Sequence, residues 1–263
     1  MSEPGGTPTP SNREPGALFL GLYNAVYWPY LIGSCVGLFG PALAIFLATA
    51  PFDKRRKLLH RYTSYWGAHY LAWAPYASVE VLGKEHGRDG KAYVFVSNHQ
   101  SMVDILACFA THLDYKWVSK AENFYAPFLG WNMYLNGYIP LKRGHLPSIM
   151  KMFRKCEAVL KGGESIFVFP EGTRSPDGNL QKFFRGAFVL SARNKAPVVP
   201  VVILGTGDIL KKGGARIVPQ AVTVSVLPPV DPADYGFDDE KLRDAVHAKM
   251  ATELARLRAR RAG

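Results

Sequence analysis

Cysteine is scarce in this chain. Only Cys35, Cys108 and Cys156 occur among its 263 residues. An odd, widely spaced set excludes a disulfide framework and shows no zinc-ligand spacing; such usage suits a reducing compartment. Acid is short as well: 21 Asp and Glu face 32 Lys and Arg, a formal charge of +11. An excess of that sign favours an anionic partner. Nucleic acid, anionic lipid or a phosphorylated substrate would each satisfy it, and so would a merely solvated surface. Hydrophobic residues at 48% with charged residues at 20% exclude a disordered or collagen-like chain. No internal repeat is present.

The sharpest absence is local. No charged residue occurs from Pro15 to Phe52. At about 1.5 Å per residue, a helix of this length exceeds a ~30 Å hydrocarbon core. Trp28-Pro29 with Gly33, and then Gly40-Pro41, interrupt the run. Two short helices with a turn near Trp28–Gly33 are therefore expected, an apolar hairpin rather than one rod. A cleaved leader ending at Ala48-Thr49-Ala50 would need a basic start, which Glu3, Arg13 and Glu14 do not provide, and a shorter apolar part. A buried core hairpin is a second reading. Membrane insertion, spanning or re-entrant, fits best. Lys54-Arg55-Arg56-Lys57 follows at once, and by the positive-inside rule this end is expected to face the cytoplasm. Residues 1–16 hold four prolines and three glycines and read as a disordered tail. Residues 17–77 read as a membrane-associated helical segment. The aromatic-rich stretch Tyr62–Val79 suits either a membrane interface or an ordinary packing helix.

From residue 78 to 263 the texture is that of a folded α/β domain. Strands are expected over Ser78–Gly83, Lys91–Ser97, Tyr115–Ser119, Gly137–Leu141, Glu164–Phe169, Pro197–Leu204 and Val222–Val226. Helices are expected over Met102–His112 with Ser101 as cap, Phe124–Leu135 after Pro127, Leu146–Leu160, Gly186–Asn194 and residues 239–261. Their alternation gives a mixed central sheet flanked by helices.

Four blocks carry polar residues at the ends of these strands. Asn98-His99-Gln100-Ser101-Met102-Val103-Asp104 follows the second strand. His99 and Asp104 would not share a face within one helix, so the pair works only if His99 lies in the turn and Asp104 in the first helical turn. The carboxylate could then fix the imidazole tautomer and leave the other nitrogen as a base. A satisfied turn histidine is the plainer alternative. Phe169-Pro170-Glu171-Gly172-Thr173-Arg174-Ser175 ends another strand, and Arg174 offers a fork of donors matched to phosphate; it also reads as a polar turn. Gly137-Tyr138-Ile139-Pro140-Leu141-Lys142-Arg143 delivers Arg143, and Val199-Pro200-Val201-Val202-Ile203 reads as core. No clustered ligands surround His99, so no metal is expected. No G-x-S-x-G elbow of a lipid hydrolase occurs, and no nucleic-acid recognition module is evident.

Taken together and in this order, the four blocks resemble the glycerolipid acyltransferase family. The likeness covers roughly residues 78 to 205 and includes Lys120, Glu122 and Pro127-Phe128-Leu129-Gly130-Trp131. It implies that His99 acts as general base on a glycerol hydroxyl, oriented by Asp104. The hydroxyl would attack an acyl thioester of coenzyme A or acyl carrier protein, a co-substrate, so no cofactor is implied. Arg143, Glu171, Gly172, Thr173 and Arg174 would form the glycerol-phosphate pocket, with Lys120 a weaker member, and Pro200 would line the acyl side. The implied acceptor is the sn-2 hydroxyl of 1-acyl-glycerol-3-phosphate at an anionic membrane surface, with another lysophospholipid or an acylated amino-acid lipid as the alternative acceptor and non-catalytic lipid binding as the rival role. The family often carries Phe-Lys-Lys-Gly after the third block; here Lys182-Phe183-Phe184-Arg185-Gly186 stands, with charge retained. Glu171 looks out of place beside a phosphate, and orienting Arg174 or meeting a glycerol hydroxyl suits it better. The oxyanion donor would be a backbone N–H near Gln100 to Met102.

Overall fold

The structure is a computed structural model that describes residues 16–72 and 78–262. The disordered tail expected over residues 1–16 lies outside the described residues except for Gly16, as does the end of the aromatic stretch at 73–77.

Two helices come first, α1 (Ala17–Thr49) and α2 (Lys57–Ala72). Strands and helices then alternate: β1 (Val79–Leu82), β2 (Val94–Ser97), α3 (Val103–Phe109), β3 (Lys116–Lys120), α4 (Leu129–Leu135), β4 (Ile139–Leu141), α5 (Leu146–Lys161), β5 (Ile166–Val168), α6 (Gly186–Asn194), β6 (Val198–Leu204), α7 (Thr206–Ile209), β7 (Val222–Val226) and α8 (Asp239–Ala262). The seven strands form one mixed sheet in the order β1-β7-β6-β2-β5-β3-β4. Every pairing is parallel except β6 with β7. A parallel strand covered on both faces must be apolar on both, which explains the unbroken Val94-Phe95-Val96 run. Phe95, Phe167, Val199 and Val201 pack toward α3 and the α1–α2 side, while Val94, Val96, Ile166 and Val198 pack toward α5, α6 and α8.

The expected α/β class and mixed sheet are present. Pro127 splits the expected Phe124–Leu135 helix into a 3-10 turn, Ala121–Tyr125, and α4. The short α7 and the 3-10 turn Pro232–Tyr235 have no apolar periodicity long enough to announce them.

The apolar segment departs from expectation in one respect. The turn expected near Trp28–Gly33 is not there: α1 runs unbroken through Pro29 and Pro41. The hairpin turn falls instead at residues 50–56, and α2 is the second arm. Each proline removes one backbone donor, and packing on both sides of Pro29 holds the halves in line. Tyr70 of α2 takes the Tyr27 hydroxyl on its carbonyl at 3.4 Å, and its own hydroxyl lies 2.7 Å from Ser34 Oγ.

α1 also spans the sheet from edge to edge. Near its start, the Asn24 and Trp28 side chains donate to the carbonyls of Ile217 and Ala215 in the β6–β7 connection. At its end, the Phe46 ring lies 5.2 Å from the Arg56 guanidinium, which donates to the carbonyls of Tyr134 and Leu135 just before β4. One face of α1 packs inward through Tyr27, Ala42 and their neighbours. The other presents Leu18, Leu22, Val26, Val36, Leu43 and Leu47 to the exterior.

Candidate active site

The C-terminal ends of β2, β5, β3 and β4 share one edge of the sheet, and the crevice beyond such ends is where open α/β sheets place ligands. His99 follows β2. Asn98 fixes this exit: its side-chain amide donates to the Ile203 carbonyl and its Oδ1 accepts the Ile203 N–H, both across to β6. The chain turns, and α3 begins with Asp104 in its first turn.

Asp104 is completely buried. Its Oδ2 accepts hydrogen bonds from the Gln100 and Ser101 backbone N–H groups at 2.6 and 2.8 Å and lies 2.7 Å from His99 Nδ1. The Thr206 hydroxyl, from α7, donates to Oδ1. A carboxylate accepting from all these donors requires the hydrogen on Nδ1, so His99 Nε2 is the bare nitrogen. Nε2 has no hydrogen-bond partner among the described residues. The imidazole stacks on Phe169, with ring centroids 4.1 Å apart and planes 15° off parallel. The ring is thus held by a hydrogen bond at one corner and a flat apolar surface beneath.

The loop after β5 closes on the same turn. Ser175 N–H donates to the His99 carbonyl at 2.7 Å, and Glu171 Oε1 accepts the His99 N–H at 3.2 Å. Glu171 does not orient Arg174; it clamps the His99 backbone. It is 3% exposed, and its Oε2 has no hydrogen-bond partner. Burial pushes its carboxyl up to about 8 against the opposing pull of the His99 N–H. Gly172 has φ +68°, and a Cβ there would come within 2.7 Å of the Phe184 ring, so both backbone and space call for glycine.

The cations stand further out. Lys120 ends β3, is exposed and pairs with Glu122 at 3.6 Å. Arg143 follows β4, the last strand of the sheet, and is exposed. Arg174 is half-buried, and its carbonyl accepts from Lys212 Nζ at 2.8 Å. Neither the Arg143 nor the Arg174 guanidinium has a partner among the described residues. Thr173 is exposed. The structure therefore brings His99, Asp104 and Glu171 into one bonded unit. It sets Lys120, Arg143, Thr173 and Arg174 along the same edge without contact to the imidazole.

Other expectations meet the structure as follows. Arg185 is spent on Asp239 and Glu240 of α8, at 2.8 and 2.7 Å, so its charge serves packing. Pro200 is buried in β6, and its carbonyl accepts the Leu227 N–H. The Gln100 and Ser101 amides are committed to Asp104 and are not free to meet an oxyanion. Thr206 was not visible in the sequence; its only signal is its place just after an apolar strand.

A buried carboxylate thus holds a histidine at the strand ends, with Arg174 after β5 and Arg143 after β4 both without a side-chain partner among the described residues, and residues 78–204 match the Acyltransferase family model. Over 233 residues the chain is 34% identical to a 1-acyl-sn-glycerol-3-phosphate acyltransferase of Chlamydomonas reinhardtii, covering 86% of this chain and 68% of the relative. Over 206 residues it is 35% identical to a chloroplastic 1-acyl-sn-glycerol-3-phosphate acyltransferase of Brassica napus, covering 77% and 58%. The chain thus spans a little over half to two thirds of these relatives. The crystal structure of the 1-acyl-sn-glycerophosphate acyltransferase PlsC from Thermotoga maritima superposes with a TM-score of 0.74 at 26% identity, covering 92% of this chain and 96% of that one. The chain belongs to the 1-acyl-sn-glycerol-3-phosphate acyltransferase family, a group of transferases.

Proposed function

We propose that the protein moves a fatty acyl group from an acyl thioester to the sn-2 hydroxyl of 1-acyl-glycerol-3-phosphate, giving phosphatidic acid. The observation that carries this reading is the 2.7 Å contact between His99 Nδ1 and buried Asp104, which leaves Nε2 as the available base. Nε2 takes the hydroxyl proton as the oxygen attacks the thioester carbonyl, the carbon–sulfur bond breaks, and the imidazolium returns the proton to the leaving thiolate. Asp104 stabilises the imidazolium while it exists. Coenzyme A or acyl carrier protein is the donor. Arg143 and Arg174, with Lys120 at the outer rim and Gly172 and Thr173 in the loop between, receive the acceptor's phosphate; forked guanidinium donors match phosphate oxygens. Glu171 serves that pocket from behind, through the His99 backbone.

Both acceptor and product live in a bilayer, and α1 supports a membrane-bound enzyme. Its outer face is apolar along the whole helix, with Leu18 79% exposed and Leu47 64% exposed. Because its inner face packs on α2 and the sheet side, α1 lies along the bilayer surface, not across it. The domain then rests on the cytoplasmic leaflet. Purified protein offered a panel of lyso-acceptors with each thioester class tests the reading. Phosphatidic acid from lysophosphatidic acid is the expected product. Transfer only to another lysophospholipid or to an acylated amino acid would contradict it, as would release of free fatty acid.

A further inference from the structure

The opposite edge of the sheet carries a feature that the candidate active site does not use. A cavity of about 290 Å³ opens between the start of α2 and the chain leading into β2, β3 and β5. Six cationic side chains line it, Arg55, Lys57, Arg61, Arg88, Lys91 and Lys116, against the carboxylates of Asp114 and Glu164. Three of the six are occupied. Buried Lys116 pairs with Glu164 at 3.4 Å and donates to the carbonyls of Arg55 and Asn136. Lys91 pairs with Asp89 at 3.3 Å, and Arg88 donates to the Thr111 carbonyl. Arg55, Lys57 and Arg61 have no side-chain partner among the described residues. Unpaired like charges around one concavity repel, and a bound anion turns that cost into attraction.

Position narrows the anion. The cavity lies before β2 and His99 lies after it, with the four-residue step from Tyr93 to Ser97 spanning about 13 Å. The cavity cannot share a small ligand with His99. α1 runs from one edge to the other; its outward apolar face ends at Leu47, and exposed Phe52 in the following turn continues it toward Lys54 and Arg55. A bilayer lying against α1 therefore reaches the rim of the cavity. We infer that this basic cavity binds the phosphate of an anionic membrane lipid and grips the bilayer at the sheet edge remote from His99 and Asp104. The inference needs α1 on a membrane but does not need His99 to be catalytic. Free phosphate has the same recognition chemistry; the apolar rim favours the lipid.

The test uses the full chain and phosphatidylcholine vesicles with or without about 20% phosphatidic acid, at low salt where such attraction is strongest. The triple variant Arg55→Gln, Lys57→Gln, Arg61→Gln should lose at least about ten-fold of the preference for anionic vesicles. A control of equal charge loss on α5, Lys151→Gln, Arg154→Gln, Lys155→Gln, should retain it, because those exposed residues sit on the far side of the sheet. His99→Ala should retain it too. Binding to neutral vesicles reports α1 separately and should be unchanged in the triple variant. Melting curves establish that each variant is folded, and the single change Arg61→Gln, at an exposed position, should give a partial loss. Equal losses in the triple variant and the α5 control would overturn the site in favour of diffuse charge. Inorganic phosphate that abolishes the anionic preference at micromolar concentration would overturn the lipid assignment. Millimolar phosphate with no effect on it would support that assignment.

Discussion

Thr206 and His99 lie on opposite sides of one carboxylate. The Thr206 hydroxyl holds Asp104 Oδ1, while Oδ2 faces His99 Nδ1 at 2.7 Å. The imidazole is therefore positioned from α7 as well as from its own turn. Removing that outer hold with Thr206→Val should lower kcat by about three- to thirty-fold with little change in acceptor KM, the cost of one hydrogen bond to a charged group. Thr206→Ser should restore most of the rate. A Val variant that raises KM and leaves kcat intact would deny Thr206 this positioning role.

Asp104→Asn should be more severe. The amide cannot accept from every present donor, and its own hydrogens would face the Gln100 and Ser101 N–H groups. Nδ1 would lose its strongest acceptor, and the tautomer that leaves Nε2 bare would no longer be favoured. kcat should fall by about 10² or more while acceptor KM moves little. Steady-state kinetics on folded variant checks this; an unchanged rate would remove Asp104 from the account.

Neutralising Arg143 or Arg174 should act mainly on the acceptor. Both guanidinium groups lack partners among the described residues, so either change to Gln leaves no buried charge exposed and spares the fold. Acceptor KM should rise about ten-fold per arginine, with a smaller fall in kcat. An acceptor dependence identical to that of the parent protein would contradict the phosphate pocket.

Glu171 gives the stability of the fold a pH dependence. Its carboxyl is raised to about 8 by burial, whereas in the unfolded chain it ionises near the ordinary value of 4.5. The folded state thus holds the proton more tightly. The stability this contributes is complete below pH 4.5 and is lost as pH rises toward and through 8. Glu171→Gln keeps an acceptor for the His99 N–H and has no proton to lose. Thermal melting from acid to mildly alkaline pH should show a decline in the parent protein that the variant lacks; parallel curves would refute it.

The outward face of α1 predicts membrane binding that does not depend on charge. Leu22→Asp with Leu47→Asp, at positions 63% and 64% exposed, should reduce binding to neutral vesicles by at least about ten-fold. Flotation with phosphatidylcholine vesicles measures it. Undiminished binding would show that α1 does not rest on the bilayer.

What could be read from the sequence follows a physical division. The strand β6 is apolar over its whole length and β2 up to Ser97, because both faces are covered, so their runs stand out. His99 and Asp104 were legible through the four-block resemblance; their spacing alone allowed the pair but left a satisfied turn histidine as the plainer reading. Thr206 was not, since it reaches Asp104 across 102 positions of sequence. Glu171 was visible as a residue and was read as orienting Arg174 or meeting a glycerol hydroxyl; its bond to the His99 N–H appears only in the folded loop. Pro29 suggested a turn that packing against Tyr70 overrides. Lys54 to Lys57 read as a topological signal; only the fold shows Arg55 and Lys57 gathered with Arg61 and Arg88 at the edge away from His99.

The most direct measurement is acyl transfer by His99→Ala, assayed with lysophosphatidic acid and a saturating acyl thioester alongside a melting curve. His99 Nε2 is assigned the proton transfer, a contribution of about 10²–10⁴ in rate. The account predicts a rate lowered by at least that lower bound in a protein that melts as the parent does. A folded variant that still makes phosphatidic acid at a comparable rate would contradict it.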